Sequence, residues 1–138
     1  VSIRKLAHYS IRARDLEASC RFYTEVLNFR VGFRPAFSFP GVWLYLDRDE
    51  SELGLVHLIG SDADDAGGLA EYLGHRSTAA GTGVLDHVAF LAERWPEQRT
   101  RCERLGVHYV ERAVPGLGLH QVFLSDPSGV VVELNYRR

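Results

Sequence analysis

Short runs of the chain alternate between apolar and polar residues with a period of two, the spacing of strands that bury one face. In each half one stretch breaks the alternation with helical spacing. In the first half the pattern predicts a strand over residues 5–12, then a helix capped by Asp15 and carried by Leu16, Cys20, Tyr23 and Leu27, ending at Asn28 or the turn after it. Strands over 29–34, 42–47 and 54–60 follow. They are separated by the turn-rich stretch from Arg34-Pro35 to Pro40-Gly41 and by the charged run Asp47-Arg48-Asp49-Glu50. The second half predicts strands near 84–91, 107–113, 119–125 and 130–136, with a helix near 95–105 whose first turn accommodates Pro96. Both halves therefore read as βαβββ.

The halves also match residue by residue, as an internal duplication does. Leu6-Ala7-His8-Tyr9-Ser10-Ile11 returns as Leu85-Asp86-His87-Val88-Ala89-Phe90, and Leu27-Asn28-Phe29-Arg30-Val31 as Leu105-Gly106-Val107-His108-Tyr109. Val56-His57-Leu58-Ile59 aligns with Val132-Glu133-Leu134-Asn135, and Trp43-Leu44-Tyr45 superimposes on Gln121-Val122-Phe123. The expected division is a first module over 1–60, a connecting loop over 61–83 and a second module over 84–138. The loop is acidic at first, rich in Gly, Ala and Ser, and predicts one short helix around Leu69–Tyr72; it reads as a linker or as a lid over a site.

Parity then collects the chemistry on one surface. Val56 and Leu58 flank His57, Val132 and Leu134 flank Glu133, Val88 and Phe90 follow His87, and Tyr9 and Ile11 follow His8. Those apolar neighbours suit a face packed on helices. His8, Ser10, His57, His87, Glu133 and Asn135 are left on the opposite face. Imidazoles and a carboxylate buried together need partners, and a divalent cation satisfies all of them at once. His75, His108 and His120 lack a repeat counterpart of this kind and read as loop, surface or pocket-rim residues. By parity and the repeat, Trp43, Tyr45, Gln121 and Phe123 face the same side and are the candidate substrate contacts.

Composition narrows the function classes. The chain has 138 residues, 46% of them hydrophobic, and a formal net charge of −2. It has no basic field for nucleic acid and no apolar run of the roughly 20 residues that a membrane span needs. No signal peptide is visible, so a soluble cytoplasmic protein is expected. Cys20 and Cys102 both fall in helical stretches and read as reduced structural thiols, and without a close Cys pair a zinc ribbon is excluded.

Four segments resemble the vicinal oxygen chelate superfamily, which includes glyoxalase I, methylmalonyl-CoA epimerase, type I extradiol dioxygenases, and fosfomycin- and bleomycin-resistance proteins. They are Leu6-Ala7-His8, Phe22-Tyr23-Thr24-Glu25-Val26-Leu27-Asn28-Phe29, Leu85-Asp86-His87-Val88-Ala89-Phe90, and the run from Phe123 through Asp126-Pro127-Ser128-Gly129 to Leu134. The resemblance covers all but the central loop. It implies an α+β fold in which two tandem βαβββ modules pair into a cupped, incomplete β-barrel with helices outside. It also implies a six-coordinate divalent metal held at the places of His8, His57, His87 and Glu133, with exchangeable positions for two neighbouring substrate oxygens.

The resemblance leaves the reaction open, because one scaffold serves several chemistries. Glyoxalase I commonly has a carboxylate where this chain has His57. The leading expectation is extradiol-type ring cleavage of a small catechol-like substrate, with Fe2+ on His8, His87 and Glu133 and with His57 as the nearby acid or base. Extradiol enzymes usually carry a tyrosine where Phe123 aligns. The alternative is glyoxalase- or epimerase-type lyase or isomerase chemistry through an enediolate, using Mn2+, Ni2+, Co2+ or Zn2+, with His57 a fourth ligand and Glu133 both ligand and base. A bleomycin-resistance-like binding protein is the third reading. Superfamily habit and open sheet edges imply a homodimer.

Overall fold

The computed structural model describes residues 5–47, 53–60, 80–83, 85–114 and 116–137. The predicted helix at Leu69–Tyr72, most of the connecting loop and His75 lie outside the described residues. The chain divides into two compact units, Val1–Thr78 and Ala79–Arg138, and the fold is α+β with one four-stranded sheet in each.

In the first unit β1 (Tyr9–Ala13) leads to α1 (Leu16–Arg21), then β2 (Arg30–Val31), β3 (Gly41–Tyr45) and β4 (Val56–Gly60), arranged β1-β4-β3-β2. Asp15 caps α1 as predicted, its carboxylate accepting from the Ala18 N–H at 3.0 Å. The helix then widens into a π-type turn over Phe22–Val26, with Leu27 N–H reaching back to the Phe22 carbonyl. Asn28 ends it in the left-handed region, at φ 61°.

The second unit repeats the plan: β5 (Val88–Ala92), α2 (Trp95–Leu105), β6 (Val110–Val114), β7 (Leu119–Ser125) and β8 (Val131–Arg137), in the order β5-β8-β7-β6. The predicted 95–105 helix is found at those bounds, with Pro96 in its first turn and Gly106 closing it at φ 67°. Asp126-Pro127-Ser128-Gly129 forms the expected turn into the last strand. The buried Asp126 carboxylate accepts from the N–H groups of Ser128 and Val130, both at 2.8 Å.

In both sheets the helix-packed face is the apolar one. Tyr23, Leu44, Val56 and Leu58 of the first unit and Val122, Val132 and Cys102 of the second are essentially inaccessible, each large side chain contributing about 1.5–3 kcal/mol of burial. Cys20 and Cys102 are free thiols in helices, as expected.

Two sequence expectations need correction. The first strand of each module starts later than predicted, at Tyr9 and Val88, so His8 and His87 precede their strands by one residue. The partner strand explains it in the first unit, where β4 pairing begins at Tyr9↔Val56. Just before it, Gly54 turns the chain at φ 77°. The repeat alignment of the third strands is also two residues off. Trp43 pairs with His57 and Phe123 pairs with Glu133, so Trp43 corresponds to Phe123 and Gly41 to Gln121. A shift of two preserves parity, so the assignment to one face stands.

Candidate functional site

The polar face of the first unit centres on His57. Ser10 on β1 and Trp43 on β3 are its register partners. His57 lies between two rings, with Trp43 at 3.9 Å and 6° on one face and His8 at 3.9 Å and 16° on the other. Its Nε2 lies 2.7 Å from the Leu53 carbonyl, which can only accept, so Nε2 carries the proton and Nδ1 holds the lone pair. Burial lowers the His57 pKa below the ordinary imidazole value. The Leu53 bond opposes this shift, and the charges of His8 and Arg34 add to it. His57 is thus a neutral imidazole with a fixed tautomer.

Trp43 is buried behind this stack, with Phe37 and Phe39 beyond it. Tyr45 shares the face, but its hydroxyl donates to the Phe33 carbonyl at 2.6 Å and the Arg30 guanidinium covers its ring. Both aromatics, expected as substrate contacts, are engaged in the wall of the module.

The second unit places a charged pair at the equivalent positions. Glu133, buried on β8, approaches His87 with Oε2 at 2.9 Å from Nε2, while His87 Nδ1 meets Asp86 Oδ2 at 2.7 Å. The Asp86 hydrogen bond, with the Glu133 and Asp86 charges behind it, raises the His87 pKa against the opposing effects of desolvation and Arg112. Gln121 is buried and donates from Nε2 to Glu133 Oε1 at 2.7 Å and to Asn135 Oδ1 at 3.1 Å. Its own Oε1 accepts from Arg112 Nη2 and Nε at 3.1 and 3.3 Å. Phe123 stands edge-on to His87 at 6.2 Å, with the Arg112 guanidinium over its ring.

The expected ligands therefore come together as two pairs, His8 with His57 and His87 with Glu133. Among the described residues no three His, Cys, Asp or Glu side chains gather as a metal site. The pairs differ in their fitness for an ion. Two ligands at right angles around an ion, with bonds of about 2.1 Å, lie roughly 3 Å apart, which is the His87–Glu133 spacing. The carboxylate on the far nitrogen of His87 is the partner that ligating histidines usually have. Asp86 was visible only as the residue before His87, a weak signal. By contrast, the lone pairs of His8 and His57 lie in nearly parallel planes set apart by the stack, so one ion cannot meet both without a ring turning. Within the second unit, the His87 and Glu133 donors fit a divalent metal.

His108 and His120 are apart from this face. His108 is exposed, and His120 pairs with Glu111 at 3.2 Å and packs its ring against Trp95 and Tyr136 on the helix side.

The profile of the Glyoxalase/Bleomycin resistance protein/Dioxygenase superfamily matches residues 5–134, and the chain belongs to this superfamily. It is 26% identical over 135 residues to "Glyoxylase I 4" of Arabidopsis thaliana, covering 96% of this chain and 70% of that protein. Its fold is shared with a glyoxylase/bleomycin resistance protein/dioxygenase domain from Frankia sp. EAN1pec, at TM-score 0.70 and 21% identity over 99% of this chain and 100% of that one. A mutant of the fosfomycin resistance protein FosX from Listeria monocytogenes, complexed with Mn(II) and 1S,2S-dihydroxypropylphosphonic acid, also shares the fold. It aligns at TM-score 0.70 and 17% identity over 99% of this chain and 94% of that one. No helix among the described residues is long and apolar enough to cross a membrane.

Proposed function

We propose that the chain is a divalent-metal-dependent enzyme that moves a proton on the carbon beside a carbonyl of a small chelating substrate, as an isomerase, epimerase or lyase. The observation that carries this reading is the state of His57, an unprotonated imidazole locked by Trp43, His8 and the Leu53 carbonyl with Nδ1 as its remaining base. A neutral imidazole suits general-base work near neutral pH. His87 and Glu133, joined by His8, would hold Mn2+, Ni2+, Co2+ or Zn2+, which when bound polarises the substrate's two neighbouring oxygens. Glu133 would serve as a ligand, its Oε1 held by Gln121 and its Oε2 beside His87, and proton transfer would fall to His57. The similarity to a protein named glyoxylase I and the Mn(II) complex of a shared fold support the class. The working unit in this reading is a cytoplasmic homodimer.

Extradiol ring cleavage of a catechol is the second reading. It is favoured by the stack that keeps His57 out of the ligand set, because two histidines and one carboxylate form the facial set suited to Fe2+. The deciding experiment is metal content of protein purified without added metal, followed by anaerobic incubation with small α-hydroxycarbonyls in deuterated water. Deuterium entry at the α-carbon, lost in His57→Ala, is the expected result. Oxygen uptake with catechols and Fe2+, without anaerobic exchange, would establish the second reading instead. Tight ligand binding with neither activity would leave a binding protein of the bleomycin-resistance kind.

A further inference from the structure

We infer that Gln121, oriented by Arg112, is the positioning residue that makes Glu133 a single-oxygen ligand, an inference that rests on reading Glu133 as a metal ligand. The argument is one of donor and acceptor identity. A guanidinium can only donate, and an ionised carboxylate can only accept. A carboxamide lying between the two therefore has one allowed orientation, with Oε1 toward Arg112 and Nε2 toward Glu133. The distances agree, at 3.1 and 3.3 Å on the Arg112 side and 2.7 Å on the Glu133 side.

Arg112 is exposed, whereas Gln121 and Glu133 are buried. The fork thus carries the influence of a surface cation to a buried carboxylate through one neutral amide, without placing the cation on the carboxylate itself. Asn135 accepts the second Nε2 proton and fixes the amide in its plane. With Oε1 held by Gln121, Glu133 would present Oε2 to an ion, and two-oxygen coordination would require Oε1 to share or give up that hydrogen bond. Positions that a second carboxylate oxygen would fill stay open for substrate. Gln121, expected from its strand position to contact substrate, is bonded to Arg112, Glu133 and Asn135.

Two measurements test this, one of them free of metal. The chain has two glutamines, Gln98 and Gln121, so 15N-glutamine labelling of the metal-free protein resolves the side-chain amides. The Gln121 amide signals should move in Arg112→Ala and in Glu133→Gln while those of Gln98 stay in place. In Co2+ titrations, Gln121→Met should weaken binding about 10–100-fold and alter the visible absorption of bound Co2+ as the freed Oε1 joins the ion. Arg112→Lys, which retains a donor, should recover most of the affinity that Arg112→Ala loses. An unmoved Gln121 amide in Arg112→Ala overturns the inference, as does a folded Gln121→Met protein with wild-type Co2+ affinity and spectrum. If the wild-type protein binds no Co2+, the ligand reading of Glu133 falls, and the amide signals alone decide whether Gln121 positions it.

Discussion

His57 and Glu133 occupy the same place in two copies of one module, and their surroundings tune them in opposite directions. In the first unit the residue is stacked between rings, bonded through its single N–H to a backbone carbonyl and kept neutral by burial. In the second unit the residue is a carboxylate with both oxygens engaged, one by an amide and one by a histidine whose protonated form is favoured. The strand neighbours follow suit. Trp43 lies face-on to His57, whereas Phe123 at the matching position stands edge-on to His87. Gly41 takes the place of Gln121, and a Cβ there would lie 2.6 Å from the Leu58 carbonyl and 2.7 Å from Arg34 Nη2. A neutral ring with one N–H needs no second donor, whereas an ionised carboxylate does. The duplicated frame holds a stacked imidazole in one unit and a carboxylate–histidine pair in the other.

Removing each member shows whether the division of labour holds. Glu133→Gln should lower divalent-metal affinity at least about 100-fold, since a neutral amide replaces the anionic ligand beside His87. His57→Ala should reduce turnover about 10²–10⁴-fold, the usual worth of a general base, while metal affinity measured calorimetrically changes less than about tenfold. Equal loss of metal in the two variants would erase the distinction between the units.

Smaller changes sharpen it. Gly41→Ala should destabilise the protein by about 1–3 kcal/mol in a denaturant melt through overpacking against backbone. The equivalent polar position, in Gln121→Met, should instead lose metal affinity. Trp43→Leu should cost about 1 kcal/mol beyond its lost area, from the ring contact, and should lower turnover more than metal binding, because the ring it supports is the proposed base.

The two histidines should also give opposite pH slopes. For His57, depressed in the folded state, the unfolded chain binds more protons as pH falls, so stability declines on acidification below the unfolded value. For His87, raised in the folded state, the stabilisation is complete below the unfolded value and is lost as pH rises through the folded one. Imidazole NMR titrations of the metal-free protein should place His57 below, and His87 above, a free histidine. Curves in the reverse order would refute the electrostatic contrast.

The alternation of apolar and polar residues determined by itself that there are two βαβββ modules and which face of each sheet is polar, because successive side chains on a strand point to opposite sides whatever the strand pairs with. Local signals also settled the Asp15 cap, the 95–105 helix and the Asp126-Pro127-Ser128-Gly129 turn, since each depends on residues within a few positions. The tertiary structure alone decided what those faces do. Strand pairing fixed Trp43 opposite His57 and Phe123 opposite Glu133, where the repeat by itself was two residues out. Through-space bonds from the Leu53 carbonyl, Asp86 and the Arg112–Gln121 fork set the proton positions on His57 and His87 and engaged an oxygen of Glu133. The Leu53 and Asp86 partners lie within four residues of their histidines, whereas the fork joins three strands; all depend on ångström-scale geometry, about which side-chain periodicity carries no information.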